Sequence, residues 1–301
     1  MSNNAIAVIG SINQDLIFKL SRLPHKGETF TADSLVMCGG GKGANQAVQC
    51  AKLGAKVYIA GRVGCDSLGE ALILQLREYG VDVSYISHSE HANTGIGSVQ
   101  ALPDGNVHAT IYTGANFDMD ESFVDSVEPL LLECRVVVLQ MEIPISVIEE
   151  TIRRAKQHGC YIILNAAPAK PIDPKTLELV DCLIVNESEA GFYAGAEICD
   201  VQTANANASK LLSMVNGEVI ITLGSEGSLL CQQSGNTHFG ADTSVKAVET
   251  TGAGDSYVGA MAVKTMEGTD RKSACQLASR VAAFTVTRMG AQEGMPCLED
   301  L

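Results

Sequence analysis

The segment VVVLQMEIPISVIEETIRRAKQHGCYIILN, residues 136–165, contains the pattern that decides the fold. Two short apolar runs, 136–140 and 161–165, flank an amphipathic stretch that we expect to be a helix from about Ile145 to His158. The two runs are apolar almost throughout, which is typical of strands that are buried on both faces. A strand–helix–strand unit of this kind predicts parallel strands that are covered by helices on both sides.

The same alternation recurs along most of the chain. We expect further strands at 5–10, 56–61, 183–186 and 219–224, and further helices at about 44–53, 68–79, 121–132 and 203–215. The predicted fold class is therefore α/β, a three-layer αβα domain with a mainly parallel sheet. Ligands of such domains bind outside the carboxyl ends of the strands, so motifs at those ends are candidates for the functional site.

Two segments interrupt the alternation, residues 14–36 and 94–113. Each shows partial alternation of apolar and polar residues around a turn signal, His25-Lys26-Gly27 in the first and Pro103-Asp104-Gly105 in the second, so we expect two antiparallel hairpins. Together they predict a small β-sheet that projects as a lid and, having one apolar face, pairs with a second copy in a homodimer. The large domain then comprises residues 1–13, 37–93 and 114–301.

Composition argues against several classes of function. The 301 residues include 21 Lys and Arg against 35 Asp and Glu, a net charge of −14 that disfavours nucleic acids and anionic membranes as partners. Ten scattered cysteines without a Cys-x-x-Cys pair favour reduced thiols over disulfides or zinc. No apolar run approaches membrane-spanning length, so we expect a cytoplasmic protein.

The stretch Thr250-Thr251-Gly252-Ala253-Gly254-Asp255 precedes an apolar run and predicts an anion-binding turn into a helix. The small residues Gly252, Ala253 and Gly254 let several backbone N–H groups and the positive end of the helix dipole converge on one point. Asp255 falls in the first turn, where its carboxylate can take a proton from an attacking hydroxyl. The alternative is a helix cap, the commoner reason for an acidic residue at this place.

The glycine-rich run 39–43 also precedes a predicted helix. It lacks the spacing of a P-loop, and the chain after the first strand lacks the glycines of a dinucleotide-binding turn. The run suits close approach to a polyhydroxylated ligand by backbone, Lys42 and Asn45, and an ordinary glycine-rich turn explains it equally well.

Three further motifs lie at predicted strand ends. Asn13 and Asp15 follow the first strand and offer an amide and a carboxylate to vicinal hydroxyls. Asn186 and Glu189 lie one helical turn apart and suit Mg²⁺ bound through water, with a capping box as the alternative. Thr222-Leu223-Gly224 ends another strand in the same manner.

In this order and at these intervals the motifs resemble the ribokinase (PfkB-type) sugar kinase family over nearly the whole chain. The motifs that carry the resemblance are GSINQD (10–15), GGKGANQA (40–47), NESE (186–189), TLG (222–224), TTGAGDSY (250–257) and VTRMGAQ (286–292). The resemblance implies that Asp255 is the catalytic base and that Gly252, Ala253 and Gly254 form, with it, an anion hole for the γ-phosphate of ATP. It also implies the αβα domain with a β lid, and dimerisation through that lid.

The resemblance further implies roles for individual residues. The sugar contacts would be Asn13, Asp15, Gly41, Lys42, Asn45 and Glu142. Asn186, Thr222 and Gly224 would line the ATP site, and Glu189 would act through the hydration shell of Mg²⁺. An activating K⁺ would be held by Glu249, Thr251, Thr285, Arg288, Gly290 and Gly294. Members of the family usually have Asp at position 249 and often Ser at position 294, and both differ here.

The leading hypothesis from the sequence is an ATP-dependent kinase that phosphorylates the 5-hydroxyl of D-ribose, with Asn13 reading the 2-hydroxyl. A kinase for another furanose or a nucleoside is the alternative within the family. A non-catalytic sugar-binding regulator on the same fold is the alternative outside it, and the intact Asp255 and its glycine turn argue against that.

Overall fold

The computed structural model describes residues 4–103, 107–242 and 244–301. Its strands are β1 (Ile6–Ile9), β2 (Asn13–Lys19), β3 (Ser34–Gly40), β4 (Val57–Gly64), β5 (Asp82–Ser89), β6 (Gly95–Ala101), β7 (Val107–Tyr112), β8 (Val136–Gln140), β9 (Tyr161–Asn165), β10 (Cys182–Val185), β11 (Glu218–Thr222), β12 (Ser228–Gln232) and β13 (Gly235–Phe239). Its α-helices are α1 (Lys42–Lys52), α2 (Ser67–Glu78), α3 (Glu121–Glu133), α4 (Ile145–Gln157), α5 (Pro174–Leu177), α6 (Glu187–Ala194), α7 (Val201–Leu212), α8 (Ala253–Glu267), α9 (Arg271–Thr285) and α10 (Ala291–Gly294).

Nine strands form the main sheet, in the order β13-β12-β11-β10-β9-β8-β1-β4-β5. The seven strands from β11 to β5 are parallel, and β12 and β13 are antiparallel additions at one edge. The predicted strand at 136–140 is β8 and the one at 161–165 is β9, with the helix α4 between them. The prediction of a mainly parallel sheet is therefore confirmed.

The sheet is covered on both faces, as its apolar strands require. Along β8, Val137 and Leu139 pack into one hydrophobic core with residues of α3, α4 and α7, whereas Val136 and Val138 pack into a second core with residues of α1, α2, α8 and α9. Alternate residues of one strand thus enter different cores, which explains why the strand is apolar at successive positions. The three-layer αβα architecture is confirmed.

The second sheet has four strands in the order β3-β2-β6-β7. The pairs β2–β3 and β6–β7 are antiparallel, which confirms both predicted hairpins. A parallel pair, β2–β6, joins the two hairpins into one sheet, and the sequence did not predict this pairing. The second predicted turn, Pro103-Asp104-Gly105, includes residues 104 and 105, which lie outside the described residues. The division of the chain into a large domain and a lid stays a prediction.

Among the described helices, none combines the length and the apolar character needed to cross a bilayer.

Candidate active site

The predicted site residues lie at one edge of the main sheet because its parallel strands all end there. Asn13 follows β1, Glu142 follows β8, Asn186 follows β10, and Thr222 is the last residue of β11. The helices α1 and α8 begin at the same edge and contribute Lys42, Asn45 and the Gly252–Asp255 turn. Residues that are more than 200 positions apart in sequence therefore meet in one place.

The turn before α8 has the conformation that its glycines predict. Gly252 is the N-cap of the helix and has a φ of +83°, the left-handed region that favours glycine. Asp255 is therefore not the cap residue. It is buried, and its carboxylate accepts two hydrogen bonds from α1: Asn45 Nδ2 donates to Oδ2 at 2.9 Å, and Gln46 Nε2 donates to Oδ1 at 3.0 Å. The carboxylate is thus held beside the free N–H groups of the first turn of α8.

Asn13 and Asp15 lie on β2, at the base of the small sheet. Asn13 is buried, and its Oδ1 accepts a hydrogen bond from Asn116 Nδ2 at 2.7 Å. Asp15 lies beside Gly40 and Gly97 of the two neighbouring strands, where a β-carbon would overlap its carboxylate. Burial, and then the negative charges of Glu142 and Asp255, raise the pKa of Asp15 to about 7.

Glu142 and Lys42 join the two sides of the cleft. Ser11 Oγ donates to Glu142 Oε2 at 2.6 Å, and the backbone N–H of Lys42 donates to the same oxygen at 3.1 Å. Burial alone would lower the pKa of Lys42, but the charges of Asp255, Glu142 and Glu189 outweigh it and raise that pKa. Lys42 therefore carries a positive charge among these carboxylates.

Gly41 connects β3 to α1 in a conformation open mainly to glycine. Its φ is +86°, and a β-carbon there would lie 2.8 Å from Asn13 N and 2.9 Å from Ser11 O. The glycine run is thus a turn into a helix that brings the backbone close to Ser11 and Asn13, and its approach to a polyhydroxylated ligand stays a prediction.

A cavity of about 800 Å³ opens on the other side of Asp255. The predicted ATP-site residues Asn186, Thr222 and Gly224 line it, together with Ala253 and Gly254 of the anion-binding turn. Its volume is in the range of pockets that enclose a small-molecule ligand. The turn before α8 therefore borders this cavity through Ala253 and Gly254, and its Asp255 is bonded to Asn45 and Gln46 of α1.

Asn186 and Glu189 form the capping box that was the alternative interpretation. Asn186 Oδ1 accepts from the backbone N–H of Glu189 at 2.9 Å, and Glu189 Oε2 accepts from the backbone N–H of Asn186 at 2.9 Å. Burial raises the pKa of Glu189 against the effect of that hydrogen bond. Because only one carboxylate oxygen is used in the box, the other is available for a hydrated cation.

The described residues contain no cluster of three or more His, Cys, Asp or Glu side chains that could hold a metal ion by themselves. Mg²⁺ is usually bound by one or two carboxylates together with substrate phosphates. Glu189 alone fits that manner of binding, in which the ion comes with the nucleotide.

The residues predicted to hold K⁺ come from two loops that meet. The backbone N–H of Gly290 donates to Glu249 Oε2 at 3.0 Å, and a β-carbon at Gly294 would lie 3.3 Å from Thr285 O and 3.5 Å from Arg288 O. Carbonyl oxygens suit a monovalent cation and need no particular side chain. Thr251 precedes Gly252 on the exposed side of the same turn. The donor set fits K⁺, with Gly294 adding no hydroxyl.

Sequence reasoning missed six polar residues that complete the site: Ser11, Gln46, Asn116, Gln140, Asn165 and Gln292. Gln140 and Asn165 each end an apolar strand, and this position could have marked them as candidates. Ser11, Gln46 and Gln292 lie within the motifs GSINQD, GGKGANQA and VTRMGAQ, but only the fold shows what they and Asn116 contact.

The family model described as "pfkB family carbohydrate kinase" matches residues 3–298. A ribokinase of Schizosaccharomyces pombe is 34% identical over 302 residues, which cover 97% of this chain and 95% of that protein. A deoxyribokinase of Salmonella typhi is 32% identical over 295 residues, 98% of this chain and 96% of that protein. The solved structure of Arabidopsis thaliana ribokinase, complexed with ribose and ATP, has a TM-score of 0.89 and 30% identity, and covers 99% of this chain and 96% of that chain.

These matches extend over the whole length in which the motifs occur, and the solved structure has the same fold. The prediction of an ATP-dependent sugar phosphotransferase is confirmed by them at the level of the family. The chain belongs to the pfkB family of carbohydrate kinases.

Proposed function

We propose that this chain is a ribokinase, which transfers the γ-phosphate of ATP to the 5-hydroxyl of D-ribose and makes ribose 5-phosphate. The observation that carries the choice of sugar is the state of Asn13. Asn13 is a buried residue whose carbonyl oxygen accepts a hydrogen bond from Asn116, and in this proposal its NH₂ group faces the sugar. A buried donor of this kind needs a hydroxyl partner, and the 2-hydroxyl of ribose supplies one.

Asp255 acts as the general base in this proposal. Two amide donors fix its carboxylate, and the lone pairs that they leave free accept the proton of the 5-hydroxyl as the oxygen attacks phosphorus. The N–H groups of the turn Gly252–Gly254, with Lys42, stabilise the charge that develops on the phosphoryl oxygens. The sugar contacts Asp15, Gly41, Asn45 and Glu142 hold the acceptor hydroxyl in line.

ATP occupies the 800 Å³ cavity, with Asn186, Thr222 and Gly224 along its wall. Glu189 would hold hydrated Mg²⁺, which screens the phosphate charges. The loops of Glu249 and of residues 285–294 would hold K⁺ close to the anion hole, since Gly252 contacts Ala291. In both cases the protein supplies oxygen ligands, the type that these cations prefer.

A homodimer through the small sheet is part of the proposal. Strand β3 lies at the edge of that sheet, and three consecutive apolar residues on it are exposed: Leu35 by 49%, Val36 by 40% and Met37 by 55%. Consecutive residues of a strand point to opposite faces, so neither face of β3 is covered by its own chain there. A second copy of the same sheet offers an apolar surface of matching extent.

Phosphorylation of 2-deoxyribose is the second candidate. It is favoured by the similarity to the Salmonella typhi deoxyribokinase, at an identity close to that of the ribokinases. The buried NH₂ group of Asn13 opposes it, because a sugar without a 2-hydroxyl leaves that donor unpaired. Another furanose or a nucleoside would fill the same cleft. A non-catalytic sugar-binding role would not require a carboxylate positioned as Asp255 is.

The test is an ADP-release assay with the purified protein on a panel of sugars and nucleosides, with D-ribose and 2-deoxy-D-ribose at matched concentrations. The proposal requires D-ribose to have the highest kcat/KM and the product to carry phosphate on O5, which ³¹P NMR identifies. Asp255→Asn is the matched control, since it keeps size and removes the base; we expect it to lower kcat by about three orders of magnitude while sugar binding survives. Retention of more than about a tenth of turnover removes Asp255 from the mechanism.

A further inference from the structure

Asp255 is the common end of two chains of buried amides. Asn45 and Gln46 donate to its two oxygens, and each of them is contacted on its outer side by a glutamine from another element. Gln292 Nε2 donates to Asn45 Oδ1 at 3.0 Å, and Gln140 Nε2 donates to Gln46 Oε1 at 2.7 Å. Both outer glutamines are at most 1% exposed. One chain of amides thus begins in α10, and the other begins at the end of β8.

The carboxylate sets the direction of the hydrogen bonds in these chains, and Asn165 Oδ1, which also accepts from Gln46 Nε2 at 3.1 Å, favours the same orientation of Gln46. A carboxylate without a proton only accepts hydrogen bonds, so Asn45 and Gln46 must both turn their NH₂ groups toward Asp255. Their carbonyl oxygens then face outward and accept from Gln292 and Gln140. An inner amide that turned over would place its own oxygen against the carboxylate, and the outer glutamines oppose that reversal.

The outer ends of the chains are left unsatisfied. Among the residues that the structure describes, none is a hydrogen-bond partner of Gln140 Oε1 or Gln292 Oε1, although both oxygens are buried. Each oxygen lies over a glycine: a β-carbon at Gly39 would be 2.7 Å from Gln292 Oε1, and one at Gly10 would overlap Gln140 Oε1. An unpaired buried oxygen destabilises the fold, so stability alone does not account for glutamine at these two positions.

We propose that Gln140 and Gln292 are positioning residues of the kinase reaction, which orient Gln46 and Asn45 so that these amides hold the Asp255 carboxylate. The inference rests on the proposed role of Asp255 as the base. Two of the roughly four lone-pair sites of the carboxylate are used by the amides, and the others remain for the proton of the sugar hydroxyl. The outer glutamines touch neither sugar nor ATP in this assignment.

Gln49 offers a matched control on the same helix as Asn45 and Gln46. It is fully buried, and its Oε1 likewise has no partner among the described residues. Its Nε2 donates to the backbone carbonyl of Pro296 at 3.1 Å, outside both chains. A change at Gln49 therefore reproduces the packing cost of a change at Gln140 or Gln292 without disturbing Asp255.

The first experiment compares Gln140→Leu, Gln292→Leu and Gln49→Leu in kcat, in KM for sugar and ATP, and in thermal unfolding. We expect each of the first two to lower kcat about tenfold or more, because one buried amide–amide hydrogen bond that orients a donor to the Asp255 carboxylate is lost, with KM for ATP unchanged. Gln49→Leu should stay within about twofold of wild-type kcat at a comparable loss of thermal stability.

The second experiment uses Gln140→Glu, Gln292→Glu and Gln49→Glu, which keep the side-chain shape and remain informative if a leucine variant does not fold. A protonated Glu can donate to the inner amide and an ionised one cannot. The ratio of variant to wild-type kcat should therefore fall as pH rises for positions 140 and 292. It should fall much less for position 49, where no amide of the chains depends on the donor.

Two results would overturn the inference: kcat losses at 140 and 292 no larger than at 49, or glutamate ratios with the same pH profile at all three positions. Turnover by the wild type tests the proposed function separately. A wild type that phosphorylates a sugar other than ribose corrects the substrate, and the comparison is then made with that sugar. A wild type that phosphorylates none of the panel overturns both proposals.

Discussion

Asn116 fixes the orientation of Asn13. Asn116 Nδ2 donates to Asn13 Oδ1 at 2.7 Å, and Asn116 Oδ1 accepts from the backbone N–H of Ile12 at 2.9 Å. The second bond sets which end of the Asn116 amide faces Asn13, because a backbone N–H only donates. Asn13 is therefore left with a single free function, its NH₂ group, at the end of the cleft predicted to hold the sugar.

We expect this donor to make the enzyme prefer ribose to 2-deoxyribose. An amide that is desolvated without its partner costs on the order of 1–3 kcal/mol, which is roughly ten- to a hundredfold in kcat/KM. Asn13→Met should erase most of that preference, since it removes the unpaired group and keeps a similar volume. Measurement of kcat/KM for both sugars with both proteins decides this, with KM for ATP as the control. An unchanged ratio would show that Asn13 does not read the 2-hydroxyl.

Asp15 should make stability depend on pH in the direction opposite to most carboxylates. Its pKa is raised from 3.8 to about 7, so the folded state holds a proton that the unfolded state has lost. The contribution of Asp15 to the free energy of unfolding is present below about pH 4 and is lost as pH rises to about 7. Asp15→Asn should therefore be more stable than the wild type above pH 7, by on the order of 2–4 kcal/mol, and the difference should vanish near pH 4. Urea unfolding of both proteins between pH 4 and 8 measures it.

Asp270→Asn is the control of opposite sign. Asp270 caps α9, and hydrogen bonds from the side chain and backbone of Ser273 lower its pKa, so its contribution is present above the unfolded pKa and is lost as pH falls. The free energy of unfolding of Asp270→Asn relative to the wild type should thus rise only as pH falls below about 3.8, whereas that of Asp15→Asn falls between pH 7 and pH 4, so the Asp270 pair is followed to lower pH as well. A difference between Asp15→Asn and wild type that is constant with pH contradicts the burial argument.

The parts of the fold that the sequence predicted are those with a strong period. β8 and β9 were predicted to the residue, because buried parallel strands are apolar at successive positions. The strands β12 and β13 were not predicted, since an antiparallel edge hairpin with Ser228 and His238 on it has a weak apolar pattern. The helix α9 was also missed, because its many small and polar residues blur the helical period.

The candidate site likewise contains residues that the sequence predicted and residues that it did not. Asp255 and Asn45 stood out because each follows a glycine turn into a helix, a local signal. Gln140 ends an apolar strand and Gln292 ends the motif VTRMGAQ, but their roles arise from contacts across more than 90 positions of sequence. Pairing of that kind depends on how whole elements pack, which one sequence does not show.

Activation by K⁺ should survive the presence of Glu249, because most of the ligands in that site are backbone carbonyls. At constant ionic strength we expect higher kcat in KCl than in NaCl or Tris. Equal rates in the three would mean that the cation site does not function in this chain.

Gly294→Ser tests the same cation site by adding a ligand to it. A β-carbon at Gly294 would lie 3.3 Å from Thr285 O and 3.5 Å from Arg288 O, so the Thr285 carbonyl must shift by a few tenths of an ångström for a serine hydroxyl there to add a ligand. One added neutral oxygen contributes about 1 kcal/mol, and the half-saturating KCl concentration should fall roughly fivefold. The control is KM for ribose at saturating KCl, which should stay the same. A half-saturating concentration that does not change places the cation away from Gly294.

The proposed dimer predicts that charge on β3 separates the subunits. Val36→Glu/Met37→Glu places a carboxylate on each face of the exposed strand, and we expect the protein to sediment as a monomer at concentrations where the wild type is a dimer. Leu74→Glu on α2 is the control, since Leu74 is 56% exposed and lies outside the small sheet. A monomeric wild type, or a double variant that still dimerises, contradicts the proposed interface.

The short link between β1 and β2 determines where this chain tolerates insertions and deletions. Only residues 10–12 separate the two strands, and β2 then sets Asn13 against Gly95 and Asp15 against Gly97, where any larger residue would collide with the polar side chains. One inserted residue would turn both side chains to the opposite face of the sheet. The segment 21–33, on the same hairpin, is largely exposed and contains no residue that must face Gly95 or Gly97. Insertions and deletions that leave the kinase active therefore belong in that segment and not between the strands.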